Sequence, residues 1–258
     1  MKNNNFMKSS GLGGFSFSIA VFSHALFWDL ALRFRNFINR RKTYKSYIRF
    51  FQDKCERLCN MLSFFSGLKF EIEIPDNLIL PENFIIISNH QSLADIIIIG
   101  NSFKNHNIKF IAKKSLKYKV PLISIYLRAG KHAFVSAGTN FKETIKEMQN
   151  LAALTKVDKV CPVIFPEGTR SKDGKLGEFH SAAVKLICRL TDLPVVSVAL
   201  DGGFNFSNIH SFINASSDIS YKLKVMSIYP KPKGKTEVNN LMRDIKEEIN
   251  TQLTAWRN

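Results

Sequence analysis

The feature that most constrains the fold is a pair of apolar, strand-like runs that each end in a compact polar turn. The first run covers residues 84–87 and leads into Asn-His-Gln-Ser-Leu-Ala-Asp at 89–95. The second covers residues 160–165 and leads into Pro-Glu-Gly-Thr-Arg at 166–170. Continuous apolar runs of this length are typical of strands buried on both faces of a sheet. Because ligands bind beyond the ends of such strands, both turns are candidate parts of a site.

The rest of the chain alternates between strand-like and helix-like patterns of hydrophobic residues. Strands are predicted at 70–74, 84–88, 109–112, 133–136, 160–165, 194–200 and 221–229, and helices near 95–103, 120–128, 140–154, 179–190 and 236–256. This alternation predicts the α/β class, with a single mixed, largely parallel sheet flanked by helices. A chain of 258 residues with 45% hydrophobic content can bury one large core, and no break in composition argues for two.

The first turn contains the residue types needed for proton transfer. Imidazole titrates close to neutral pH, and a carboxylate on one ring nitrogen can fix the tautomer and stabilise the protonated ring. His90 is the candidate base and Asp95 the candidate carboxylate, provided that a turn entering a helix folds Asp95 back beneath the ring. Alone the pair is a weak signal, since this spacing arises by chance in roughly one such chain in four or five. The alternative for an isolated pair is a solvent-facing turn histidine.

The second turn has the composition of an anion site. Gly168 allows close approach of the backbone, the hydroxyl of Thr169 can donate, and the guanidinium of Arg170 can engage a phosphate with two hydrogen bonds. The alternative is an ordinary turn with an exposed arginine. The hexapeptide at 165–170 is expected by chance in only about two chains per million, so the second motif is far more specific than the first.

In this order the two motifs resemble those of the glycerolipid acyltransferase family, whose bacterial members acylate lysophosphatidic acid. The resemblance covers about residues 84–200. It implies direct attack by the acceptor hydroxyl on a thioester, with His90 and Asp95 as the catalytic pair and Ser92 bonding the turn backbone. Acyl-CoA or acyl carrier protein would be the donor substrate, and no metal or tightly bound cofactor is implied.

The same resemblance assigns substrate contacts. It places the acceptor's phosphate at Gly168, Thr169 and Arg170, and the acceptor's glycerol at Glu167. It also implies a lysine near the phosphate, for which Lys113 is the candidate. The alternative for Lys113 is solvated surface, because the chain has 37 lysines and arginines.

One stretch departs from the family pattern. Many relatives that use lysophosphatidic acid have an arginine in a block resembling Gly-x-x-Phe-Ile-Asp-Arg. The matching residues 130–138 contain no arginine. We therefore expect lysophosphatidic acid to be accepted with less preference over other lysolipids than arginine-containing relatives show.

The charge of the chain predicts an anionic partner. The formal net charge is +16, and no acidic residue lies between Asp29 and Asp53. Aromatic and apolar residues alternate there with a cluster of cations: Arg33, Arg35, Arg40, Arg41, Lys42, Lys45 and Arg49. This is the composition of a helix in an anionic lipid interface. Nucleic acid is the other anionic partner to consider, but the chain has no recognisable nucleic-acid-reading motif.

The N-terminal region is also expected to contact the membrane. Residues 9–28 carry no charge and are rich in aromatic side chains. We predict a membrane-associating helical hairpin over 1–66, ahead of an acyltransferase domain at 67–258. A full membrane span over 9–28 and a cleaved signal peptide are the alternatives. The four cysteines fit buried free thiols rather than a disulfide framework, which favours a reducing cytoplasmic setting.

These observations predict a membrane-associated acyltransferase of phospholipid biosynthesis, at the cytoplasmic face of the inner membrane. It would transfer a fatty acyl group to the free hydroxyl of a lysophospholipid of the lysophosphatidic acid type. Its partners would be membrane lipids, the lysophospholipid and the acyl donor, with no nucleic acid. The alternatives are an acyltransferase for another lysolipid, such as an amino-acid lysolipid, and a catalytically silent lipid-binding protein.

Overall fold

The computed structural model describes residues 68–120, 123–136, 141–206 and 220–258, together with scattered residues between 23 and 63, which are all helical. Most of the predicted N-terminal hairpin and of the cationic cluster lies outside the described residues. No helix within the described part of the chain is long and apolar enough to cross a membrane.

The strands of the described residues form one sheet. Their bounds are β1 Lys69–Glu73, β2 Ile85–Ser88, β3 Asn107–Lys113, β4 Ala133–Val135, β5 Val160–Ile164, β6 Val195–Asp201 and β7 Ser220–Tyr229. The spatial order is β1-β7-β6-β2-β5-β3-β4. Every neighbouring pair is parallel except β6 and β7, which are antiparallel. The predicted class, with a single mixed and largely parallel sheet flanked by helices, is confirmed.

The helices cover both faces of this sheet. They are α1 Asp95–Ser102, α2 Leu116–Lys119, α3 Ile123–Ala129, α4 Phe141–Val157, α5 Ala182–Leu190 and α6 Gly234–Arg257. A 3₁₀ turn, Gly203–Phe206, follows β6. The short helix α2 was not predicted, and α5 begins three residues later than its apolar pattern indicated. The delay has a physical cause, because the His180 N–H donates to the carbonyl of Pro166 (2.9 Å) instead of entering the helix.

Successive side chains along β2 and the residue before it point to opposite faces of the sheet and so contribute to two separate cores. Phe84 and Ile86 pack in one core with α1 and α3, whereas Ile85 and Ile87 pack in a second core with α4, α5 and α6. All four of these side chains are fully buried, which explains why the run has no polar residue. Helical residues near position 55 complete the first core: Cys55 is buried there, and Gln52 Nε2 donates to the carbonyl of His106 (3.0 Å).

The sheet brings the two polar turns to the same edge. β2 and β5 are parallel neighbours with Ile87 opposite Ile164, so the turns that follow them leave side by side. The carboxyl ends of β3 and β6 lie at this edge too, because β3 is parallel to β5 and β6 is parallel to β2. β7 is antiparallel to β6, with Asp201 opposite Lys222, so β7 begins where the other four strands end.

Candidate active site

His90 and Asp95 are directly bonded. Nδ1 of His90 lies 2.6 Å from Oδ2 of Asp95, which is the first residue of α1. Asp95 has no exposed surface, whereas 14% of the His90 side chain is accessible. Because an ionised carboxylate can only accept, this contact assigns the proton to Nδ1 and leaves Nε2 as the ring nitrogen without a proton.

The start of α1 fixes the position of Asp95. Its Oδ2 also accepts the backbone N–H groups of Gln91 (2.7 Å) and Ser92 (3.0 Å). Ser92 is buried, and its Oγ accepts the N–H of Ala94 (3.2 Å), so its hydroxyl is engaged within the turn. Negative charge near the first N–H groups of a helix is favourable, which helps to keep this carboxylate at the turn.

Glu167 joins the two motif turns. Its Oε1 accepts the backbone N–H of His90 (2.7 Å), and its Oε2 accepts the N–H of Gly177 (2.8 Å). A further backbone bond runs from Ser171 to the carbonyl of His90 (2.8 Å). Burial raises the pKa of Glu167, while the two N–H bonds act in the opposite direction. One carboxylate oxygen therefore holds the two turns together, and the other holds the loop that follows the second turn.

A cleft of about 1370 Å³ opens over these turns. The ring of Phe165 stacks on the imidazole of His90, with centroids 4.1 Å apart and planes 13° apart. Of the seven residues predicted for the site, all except Asp95 line the cleft: His90, Lys113, Glu167, Gly168, Thr169 and Arg170. Asp95 lies behind His90 and reaches the cleft only through that ring.

One part of the cleft wall is cationic. Thr169, Arg170 and Lys113 are exposed there, and Gly168 has a φ of 64°, a conformation that favours glycine. Among the described residues, neither Lys113 nor Arg170 forms an ion pair, whereas the neighbouring Lys114 pairs with Glu143 at 2.7 Å. The cleft therefore offers Lys113 and Arg170 as positive side chains that no carboxylate of the described residues neutralises.

Another part of the cleft wall is apolar. Its side chains come from α1 and the turn before it, β3, α2 and the end of β5: Leu93, Ile96, Phe110, Ala112, Leu116 and Phe165. His90 lies at the junction, since its ring stacks on Phe165. The cleft can thus accept a molecule with an anionic group and a hydrocarbon chain, with the imidazole between them.

Sequence reasoning missed a network that supports the first turn from behind. Gln91 Nε2 donates to Asp201 Oδ1 (3.1 Å), and Arg257 holds the same carboxylate through Nε (2.9 Å) and Nη2 (2.6 Å). Arg257 Nη2 also donates to the carbonyl of Gly174 (2.8 Å) in the loop after the second motif. The end of α6 therefore connects the loops of both motifs.

A second missed residue, Tyr221, is bonded to Asp95. Its hydroxyl donates to Asp95 Oδ1, the carboxylate oxygen that does not face the imidazole. The two residues lie 126 positions apart, so no local pattern connects them.

Within the described residues, no group of three or more His, Cys, Asp or Glu side chains is placed to hold a metal ion.

Comparisons with known proteins identify relatives of this chain. The chain is 27% identical to an uncharacterized acyltransferase of Schizosaccharomyces pombe over 72% of the chain and 65% of that protein. It is 27% identical to human 1-acyl-sn-glycerol-3-phosphate acyltransferase beta, over 58% of the chain and 51% of that protein. The chain thus spans about half to two thirds of the length of these relatives.

A solved structure has a similar fold. The 1-acyl-sn-glycerophosphate acyltransferase PlsC of Thermotoga maritima superposes with a TM-score of 0.68 at 23% identity, covering 95% of both chains. The sequence model of the Acyltransferase family matches residues 69–201, slightly more than half of the chain. This stretch runs from β1 to the end of β6 and includes both motif turns, which confirms the resemblance that the motifs predicted. The chain therefore belongs to the Acyltransferase family.

Proposed function

We propose that the protein transfers a fatty acyl group from a thioester donor to the free hydroxyl of a lysophospholipid of the lysophosphatidic acid type. The observation that carries the proposal is the single cleft that combines the His90–Asp95 pair with the cations Lys113 and Arg170. The family match supports acyl transfer. The names of the human and Thermotoga relatives support a phosphorylated lysolipid as the acceptor.

His90 would act as the general base. Its Nε2 takes the proton of the acceptor hydroxyl while the oxygen attacks the thioester carbonyl. The tetrahedral intermediate then collapses, the carbon–sulfur bond breaks, and the imidazolium returns the proton to the leaving thiolate. Asp95 keeps the ring in the required tautomer and stabilises it while it is charged. No enzyme-bound acyl intermediate is needed, which agrees with a Ser92 hydroxyl engaged inside its turn.

The cationic wall would bind the acceptor's phosphate. Arg170 can engage two phosphate oxygens, and Thr169 and Lys113 can donate to the others. Gly168 lets the backbone approach the anion closely. We expect Glu167 to act on the acceptor mainly by fixing this loop to His90, since both of its oxygens already accept backbone N–H groups.

The apolar wall would take a hydrocarbon chain. Burying methylene groups against side chains such as Phe110 and Leu116 is favourable at about 0.8 kcal/mol per CH₂.

We further propose that residues 1–66 associate with the cytoplasmic face of the membrane, since their cations and aromatic residues suit an anionic lipid surface. The acceptor could then enter from the bilayer, and either acyl-CoA or acyl carrier protein would supply the acyl group without a metal or bound cofactor.

A substrate panel tests the proposal. Purified protein is given labelled acyl-CoA or acyl carrier protein, with lysophosphatidic acid, lysophosphatidylglycerol, lysophosphatidylethanolamine or an amino-acid lysolipid as acceptor. We expect transfer to lysophosphatidic acid with only modest preference in kcat/KM, and a sharper preference in Ala137→Arg, which adds the arginine absent from 130–138. Tight binding of these lipids with no transfer from either donor would contradict the proposal and favour a silent lipid-binding protein.

A further inference from the structure

Tyr221 lies against the carboxylate of Asp95 on the side opposite His90. Its hydroxyl donates to Oδ1, while Oδ2 lies 2.6 Å from the imidazole. Tyr221 is 1% exposed and Asp95 is fully buried, so this bond is shielded from bulk solvent. We propose that Tyr221 is a positioning residue for acyl transfer, which fixes the Asp95 carboxylate and limits the negative charge that it presents to His90. The proposal rests on the proposed function, because it acts through His90 as base.

The surroundings of Tyr221 hold its hydroxyl in place. The ring stacks on Phe70 of β1 with centroids 6.1 Å apart. On the other side lies Gly203, where an added Cβ would be 2.5 Å from the Tyr221 hydroxyl oxygen and 3.1 Å from Asp95 Oδ1. Only a residue without a side chain leaves room here for the bond. The 3₁₀ turn after β6 and the start of β7 therefore pack closely around the Tyr221 hydroxyl group.

The hydroxyl stays protonated, and so remains a donor, at neutral pH. Burial raises the pKa of Tyr221 well above 10.0, and the adjacent Asp95 raises it further. Among the described residues, Cys59 and Asp201 also raise it, and burial raises the pKa of the Cys59 thiol to about 12. On the cleft side of the pair, Glu167 is the nearby carboxyl group.

The effect of the bond on the base has a defined sign. A donated O–H draws charge from the carboxylate and weakens its attraction for a protonated imidazole. Without that donor, Asp95 stabilises the imidazolium more strongly, so a higher pH is needed to leave the ring free to accept a proton. Only the bonds to Oδ2 would then hold the carboxylate, and the loss of the bond to Oδ1 would misalign the ring and lower the rate. The rate of transfer and its pH dependence should therefore change together.

The test is Tyr221→Phe, which removes only the oxygen, compared with Tyr229→Phe as the matched control. Tyr229 lies on the same strand, but its hydroxyl is 3.3 Å from Glu248, away from the cleft. For Tyr221→Phe we expect kcat to fall roughly tenfold with little change in KM for the acyl donor. The acidic midpoint of its pH profile for kcat/KM should rise by about half a unit to one unit. Tyr229→Phe should change neither quantity.

Gly203→Ala provides an independent second variant, because its methyl group would displace the same hydroxyl. It should raise the acidic midpoint in the wild-type background and have little further effect on the midpoint in Tyr221→Phe. A midpoint that stays at the wild-type pH in both variants overturns the proposal, whatever happens to rate or melting temperature.

His90→Ala, measured in parallel, separates this inference from the one on which it rests. Absence of transfer by the wild type rejects the proposed function, whereas retained transfer by His90→Ala rejects His90 as its base and the role of Tyr221 with it. Loss of transfer by His90→Ala, together with a wild-type rate and profile in Tyr221→Phe, rejects the role of Tyr221 alone.

Discussion

Two adjacent lysines at the end of β3 have different environments. Lys113 lines the cleft and forms no ion pair among the described residues, whereas Lys114 points its Nζ to Glu143 at 2.7 Å. They are neighbours in the sequence, and only the pleat of β3 and the position of α4 distinguish them. The difference makes each lysine the natural control for the other.

We expect Lys113→Met to raise the KM for lysophosphatidic acid about three- to tenfold with little change in kcat, because it removes a charge that binds substrate and transition state equally. Lys114→Met should change KM less than twofold, since its charge is already engaged with Glu143. Steady-state kinetics on both variants make the comparison. Equal effects on KM would show that only the general positive charge of this turn matters.

Local sequence located the residues that are contiguous with a motif and missed those that approach from elsewhere. His90 and Asp95 could be paired in advance because a turn into a helix brings them together within five positions. Tyr221 could not, because it reaches Asp95 only after β7 has added antiparallel to β6. Arg257 in the last turn of a helix is typical of solvated surface, and nothing local indicates its bond to Asp201.

Among the elements, β3 contains a lysine in an unexpected place. Lys109 has no exposed surface, and its Nζ donates to the carbonyls of Gly130 and Lys131. Burial lowers its pKa from 10.5 to about 7, and the charge of Lys131 acts in the same direction. The apolar neighbours of Lys109 predicted the strand correctly, but a single lysine in a strand does not show which way its side chain points.

This lysine should make stability depend on pH. Between about pH 7 and pH 10.5 the unfolded chain binds a proton that folded Lys109 has released, so Lys109 makes the protein more stable as pH rises through this window. We expect the melting temperature of Lys109→Met relative to wild type to fall by about 3 °C or more between pH 7 and pH 9.5. The buried thiols act in the opposite sense in both proteins, so they cancel in the difference. A difference that is constant with pH would mean that Lys109 keeps its ordinary pKa in the folded protein.

At the scale of the whole molecule, the parallel sheet explains why distant motifs form one site. The carboxyl ends of β2, β5, β3 and β6 lie at one edge, and each supplies residues to the cleft or its support. The class of fold and the strand positions were predictable because buried parallel strands are continuous apolar runs. The apolar part of the cleft wall was not, because it depends on which elements become neighbours in the sheet.

The central claim is that this cleft uses His90 as the base of acyl transfer. The most direct measurement is the rate of transfer from acyl-CoA or acyl carrier protein to lysophosphatidic acid by His90→Ala, beside His180→Ala, which removes a second histidine that lines the cleft. We predict that His90→Ala lowers kcat by about 10²- to 10⁴-fold with an unchanged melting temperature, while His180→Ala keeps most of the activity. More than a third of wild-type turnover in His90→Ala would contradict the account.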